Sequence, residues 1–116
     1  MQFKLIIALV NDEVTDKIVT AGRDAGARGA TVITSARGEG LKQNTTFFGL
    51  SLESQSDVVL FLVEEHLSRE ILETISKAGN FDDTAGSGIA FQINVEDAVG
   101  VSHQIQTLTK EVEERL

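Results

Sequence analysis

"DVVLFLVE", residues 57–64, sets six consecutive apolar side chains between two carboxylates. The run is rich in β-branched and aromatic residues and too short for a buried helix, so it reads as a strand. It shows no polar alternation, so neither face of that strand is expected to meet water. "QFKLIIALV", residues 2–10, has the same character and is the second half of the same signal.

Between these two runs, Asn11 or Asp12 can cap a helix that carries Val14, Ile18, Val19 and Ala25 at helical spacing, with Gly26 and Gly29 as its stop. "ATVITSA", residues 30–36, is another strand. "RGEGLKQN", residues 37–44, is polar and glycine-containing, which reads as a loop. "TTFFGLSL" forms either a strand or part of a longer excursion, and "ESQS" is a turn before residue 57. Beyond residue 64, Ser68 is the expected N-cap of a helix, with Leu67 and Leu72 placed for a hydrophobic staple. Ile71, Leu72, Ile75 and Ala78 make its buried stripe, and Gly79 its C-cap. "AGSG", residues 85–88, is a small-residue turn leading into the strand "IAFQINV". A last amphipathic helix runs from about Ser102, with Ile105, Leu108 and Val112 on one face.

The resulting order is β-α-β-β-α-β plus a C-terminal helix: an α+β, ferredoxin-like sandwich with both helices on one face of a four-stranded antiparallel sheet. Because "LIIALV" and "VVLFLV" are apolar on both sides, the other face needs a cover as well, and self-association is expected.

Composition narrows function. The chain has 116 residues, enough for one domain with a two-layer core, and 41% hydrophobic residues. It has no cysteine, which removes disulfides and thiolate sites, and only His66 and His103 as imidazoles, so no metal centre is expected. The net charge of −8 argues against nucleic acid as a partner. The apolar run in "MQFKLIIALV" is too short for a signal peptide or a membrane span, which makes a cytoplasmic location the expectation.

The glycine turn poses the functional question. Gly86 and Gly88 allow a backbone to approach an anion closely, yet the surrounding residues include Asp82, Asp83, Glu96 and Asp97 and no lysine or arginine. By itself it is either a ligand cradle or a plain helix-to-strand turn. "GATV" at residues 29–32, "ARGEG" followed by "TFFG", the turn "AGSGIAF" and "VEDAV" together resemble the PII signalling superfamily, specifically its divergent PII-like branch. The resemblance runs from residue 3 to about residue 102.

The resemblance implies a homotrimer whose sheets form a central barrel. Adenine nucleotides (ATP, ADP or AMP) would bind in clefts between subunits, and the protein would be a regulator without catalytic residues. The excursion at 37–56 would be a T-loop that contacts a target, often a membrane transporter. Residues 80–89 would be the ligand-binding B-loop, and 102–116 the C-terminal helix of a single domain spanning 1–116. Carried over by position, the nucleotide contacts are Thr31, Arg37, Gly38, Glu39, Gly86, Ser87, Gly88 and Ile89, and the partner contacts Lys42, Phe47 and Phe48. In the main branch of that superfamily a phosphate-binding lysine stands where this chain has Ile89, and two arginines where it has Gly100 and Ser102. The T-loop tyrosine that is modified in that branch is absent. Charge-assisted hydrogen bonds contribute about 1.5–3 kcal/mol each, so their loss weakens triphosphate binding by orders of magnitude. ADP, AMP or a small anion fits the altered turn better.

Other readings stay open at this level. The chain could be a ligand-free interaction module that uses the Phe47–Phe48 pair. An acylphosphatase-like enzyme on the same fold is the third reading, but "VNDEV" after the first strand supplies no arginine cradle. Asp82 and Asp83 read as solvated carboxylates, His66 and His103 as surface residues, and Lys110 with Glu114 as an i, i+4 pair on a solvated helix face.

Overall fold

The computed structural model describes residues 1–36, 46–47, 50–51 and 56–101. The elements are β1 (Phe3–Asn11), a 3-10 turn (Asp12–Val14), α1 (Thr15–Asp24), β2 (Thr31–Ala36), β3 (Thr46–Phe47), β4 (Leu50–Ser51), β5 (Ser56–Glu64), α2 (Glu65–Gly79) and β6 (Gly88–Val95). The four long strands form one antiparallel sheet in the order β2-β5-β1-β6, which is the ferredoxin-like arrangement expected from the sequence. β3 and β4 make a separate minimal hairpin, Thr46 opposite Ser51 and Phe47 opposite Leu50, inside the 37–56 excursion. The C-terminal helix, with His103 and the Lys110–Glu114 pair, lies outside the described residues.

Register divides the sheet into two faces. Ile6 lies opposite Phe61 and Ala8 opposite Val59, and these side chains are fully buried beneath α1 and α2 together with Ile18, Ile71 and Ile75. The Phe61 ring lies directly on Gly22 of α1; a Cβ there would come within 2.6 Å of it, so only glycine lets helix and strand approach this closely. On the other face, Leu5 pairs with Leu62 and Ile93, Ile7 with Leu60 and Phe91, and Leu9 with Val58 and Ile89. Leu5, Ile7, Leu9, Val58, Leu60, Leu62 and Ile89 are half-buried. Ile33, Phe91 and Ile93 are 50%, 39% and 47% exposed.

Both helix ends of α2, and the start of α1, differ from expectation. Asn11 makes no capping bond to the 3-10 turn, and α1 begins after Val14 without a side-chain cap. α2 starts three residues before Ser68. Its N-cap is Glu64, whose buried carboxylate accepts from the His66 N–H at 2.7 Å. A carboxylate at an N-terminus satisfies an orphan donor and meets the positive end of the helix dipole, so it displaces the serine from the capping role. Ser68 is buried inside the first turns and donates to the Glu65 carbonyl, and Leu67 and Leu72 are ordinary members of the helix's packed side, with no staple at that end. The C-cap is Asn80, left-handed at φ 54°, and Gly79 is the last helical residue. Among the described residues, no helix is long and apolar enough to cross a membrane.

Candidate functional site

At one end of the sheet the C-terminus of β1, the N-terminus of β5, the C-terminus of β2 and the glycine turn before β6 lie side by side. Register shows this directly: Ser56 is opposite Asn11 on one flank and Ala36 on the other, while Val10 is opposite Gly88. Ala36 and Ser56 are the two feet of the 37–56 excursion.

The glycine turn is built around Asn80 and Phe81. Left-handed Asn80 reverses the chain, and its carbonyl accepts from the Thr84 N–H (2.9 Å), the Asp83 N–H (3.3 Å) and the Ser87 hydroxyl (2.9 Å). The Phe81 N–H closes on the Ser76 carbonyl at 3.0 Å, and the Phe81 ring folds back between Gly79 and Gly88. A Cβ at Gly88 would stand 2.5 Å from that ring and 3.0 Å from the Leu9 carbonyl oxygen, and one at Gly79 would collide with the same ring. Gly86 is left-handed at φ 79° and needs its missing side chain for that reason. Ser87 uses its N–H on the Thr84 carbonyl (3.2 Å) as well as its hydroxyl on Asn80, so in this arrangement it builds the turn. Asn11 Nδ2 donates to the Gly86 carbonyl at 3.1 Å and pins the turn to the end of β1.

Ile89 enters the ladder opposite Leu9, with its side chain in the open-face row. No lysine or arginine occurs between Lys77 and Lys110, and Asp82, Asp83, Glu96 and Asp97 are exposed. An anion at this turn would therefore rest on backbone N–H groups, since the turn and β6 supply no cation.

Thr31 lies elsewhere. It sits on β2 opposite Leu60, exposed and on the open face. β2 and β6 are the two outer strands, so three strand spacings, about 14 Å, separate Thr31's strand from the glycine turn within one chain. Gly86, Ser87, Gly88 and Ile89 are contiguous, and the chain does not bring Thr31 to them. Arg37, Gly38, Glu39, Lys42 and Phe48 lie outside the described residues, and Phe47 is placed only by its backbone pairing with Leu50.

Two residues that sequence reasoning leaves without a site role, Asn11 and Asp57, organise this end of the sheet. Asn11, expected as a helix cap, instead holds the turn. Asp57 is buried (7% exposed) and accepts from Thr15 Oγ1 at 2.7 Å and from the Ser35 N–H at 3.4 Å. Ser35 is left-handed at φ 60°, and the β2–β5 register shifts between Ile33 and Ala36, so the Asp57 carboxylate supports an irregular strand end. The available signal is a carboxylate at the head of an apolar strand, since a buried charge needs partners.

At the opposite end, Glu64, Glu65 and His66 form the metal-capable grouping found among the described residues. Both Glu64 oxygens are engaged, one by the His66 N–H and one by His66 Nδ1 at 2.7 Å, and a helix N-terminus disfavours a cation. The hydrogen bond to Glu64, then its charge, raises the His66 pKa above its ordinary 6.5. The grouping works as a helix cap.

Comparison with known proteins follows the same outline. The family profile described as nitrogen regulatory protein P-II matches residues 3–104. Among solved structures, CPII from Thiomonas intermedia K12 bound to ADP, AMP and acetate is similar at TM-score 0.61 and 19% identity, covering 83% of this chain and 90% of that one. The same protein bound to ADP and bicarbonate superposes at TM-score 0.59 with 19% identity, covering 84% and 91%. A PII-like signaling protein of Thermus thermophilus is 25% identical at TM-score 0.60, covering 82% and 87%. Among curated proteins the sequence finds no match.

Proposed function

The chain belongs to the nitrogen regulatory protein P-II family, whose members are signalling regulators rather than enzymes, and we propose that it acts as a homotrimeric, nucleotide-responsive regulator of a partner protein. Members of the family assemble as trimers and bind nucleotides. In this reading residues 1–116 are one domain, the open sheet faces of three copies pack together, and β2 of one copy meets β6 of the next. The ligand then lies between the glycine turn (Gly86, Ser87, Gly88, Ile89) and Thr31 of a neighbouring copy, with Arg37, Gly38 and Glu39 at the base of the excursion. The excursion at 37–56, through Lys42, Phe47 and Phe48, contacts the target, which we take to be a membrane transporter.

The observation that carries this reading is the separation of Thr31 from the glycine turn on opposite outer strands, beside an apolar sheet face on which Ile33, Phe91 and Ile93 stay exposed. Two half-sites on two open edges make one site only across chains. Taking an Ile, Leu or Phe side chain out of water contributes about 1.5–3 kcal/mol, so the face as a whole can offset the roughly 4–15 kcal/mol that association costs. The ligand class follows from charge. With no cation between Lys77 and Lys110, ADP, AMP or a small anion such as bicarbonate is favoured over ATP. CPII, bound to ADP with AMP and acetate or with bicarbonate, is a structural precedent for that class.

Light scattering with calorimetric titration of ADP, AMP, ATP and bicarbonate tests it. A trimer mass is expected, with ADP or AMP bound at least tenfold more tightly than ATP, the factor that follows from losing one charge-assisted phosphate contact. A monomer that binds none of the four overturns the reading. A trimer that binds no nucleotide but still binds a protein through the excursion would favour the alternative, a ligand-free interaction module, for which the internal use of both Ser87 donors already speaks.

A further inference from the structure

The hydrogen bonds at the loop end of the sheet form one line across all four strands. It begins at the Gly86 carbonyl, which accepts from Asn11 Nδ2 at 3.1 Å. Asn11 is paired across the β1–β5 ladder with Ser56, the foot by which the excursion re-enters the sheet, and Ser56 is itself paired with Ala36, the foot by which it leaves. The next residue, Asp57, takes Thr15 Oγ1 from α1 and the N–H of left-handed Ser35 beside Ala36. Ser56, Asp57 and Thr15 are all buried, at 5%, 7% and 5% exposure, so water does not compete for the Thr15–Asp57 bond at the centre of this line.

We infer that Asn11 and Asp57 are positioning residues that tie the glycine turn to Ala36 and Ser56, the two feet of the 37–56 excursion, so that loosening the turn loosens the feet. Two details argue for this against a purely local role. Asn11 Oδ1 is buried with no hydrogen-bond partner among the described residues, a penalty that an apolar residue would avoid. The side chain is therefore best explained by its one bond to Gly86. Likewise, Asp57 stands at a strand position next to the apolar Val58 and Val59, and its two contacts come from different elements, α1 and β2. Its carboxylate makes the irregular end of β2 depend on the position of β5, and β5 is held through Ser56 to the strand that carries Asn11. A response of the two feet to a ligand at the turn rests on the turn being the ligand site proposed above. The mechanical link does not.

Amide hydrogen exchange on the assembled protein, read residue by residue, tests the link without any ligand. Asn11→Ala is expected to speed exchange at Ser87 about fivefold, the factor one hydrogen bond contributes, and also at Ser35, two strands from Asn11, about twofold. Asp57→Asn is expected to do the reverse, with the larger effect at Ser35 and the smaller at Ser87. Amides of the core helix around Ile75 should not change. The double variant should fall short of the product of the two single effects. Should Asp57→Asn fail to fold, Thr15→Val removes one partner of the carboxylate and is read in the same way, and Thr15→Ser, which keeps the hydroxyl, should restore the wild-type pattern. Effects confined to the near amide in each variant, multiplying in the double, would overturn the inference. Adding ADP separates it from the functional reading. In wild type ADP should slow exchange at both Ser87 and Ser35, and in Asn11→Ala at Ser87 alone. Cross-effects in the two variants, with no response of wild type to ADP, remove the ligand reading and keep the link. Slowing of both amides in Asn11→Ala as well removes the link and keeps the ligand.

Discussion

The two faces of the sheet come from the same strands and nearly the same residues, yet they end in opposite states. Ile6, Ala8, Val59 and Phe61 face the helices and are completely buried, while their neighbours in sequence, Ile7, Val58, Leu60 and Leu62, are only half covered. The polar side chains are distributed against the usual rule. Lys4, Asp57, Gln92 and Asn94 lie on the helix-covered side by register, whereas on the open side the positions that β5, β1 and β6 give to the central rows are all aliphatic or aromatic, and Thr31 of β2 is the polar residue at their edge. An antiparallel sheet with one solvated face normally shows polar residues on that face. One face is thus completed by this chain's own helices, and the other presents exposed apolar side chains such as Ile33, Phe91 and Ile93.

Three changes put that contrast to the test. The largest effect belongs to the covered face. Phe61→Ala empties the contact over Gly22 and should destabilise the chain by about 3–5 kcal/mol in denaturant unfolding. A loss below about 1 kcal/mol would mean that this face is not the core. On the open face, Phe91→Glu combined with Ile93→Glu should leave the helical signal in circular dichroism intact but shift the sizing profile to the single-chain mass. An assembly that survives two carboxylates on those side chains would show that the sheets do not meet there. The smallest effect lies at the far end of the sheet, at His66. Its partner Glu64 raises the folded-state pKa above 6.5, so the contribution is fully present below that value and is lost as pH rises through the higher folded pKa. The difference in melting temperature between wild type and His66→Gln should therefore be larger at about pH 5.5 than at about pH 8.5. A gap that widens with pH would reverse the assignment.

Much of the fold is legible from residue order. Continuous apolar runs at 5–10 and 58–63 mark the central strands, and 3.6-residue spacing marks Ile71 and Ile75 as a buried stripe, because period and hydrophobicity are local properties. The ends of elements are less legible. Ser68 and Gly79 carry the residue types that favour caps, but the caps are Glu64 and Asn80. Capping depends on which side chain the tertiary fold holds within reach of a free N–H or lets adopt the left-handed region. Gly22, Gly79 and Gly88 look like ordinary punctuation in the sequence. Their reason, an aromatic ring of Phe61 or Phe81 lying on each, involves residues brought together by folding, over a gap of 39 positions in the first case.

Residue type and spacing suffice for the order of elements, the apolar character of both sheet faces, the family resemblance and the absence of cations from the glycine turn. None of these needs a contact between distant parts of the chain. Folding was required to set Thr31 and the turn on opposite outer strands, to bond Asn11 to Gly86 instead of a helix end, and to bring Asp57 against Ser35 and Thr15. Those facts depend on strand register and on close approach between residues far apart in the chain, and pairing of that kind leaves no periodic trace in a single sequence.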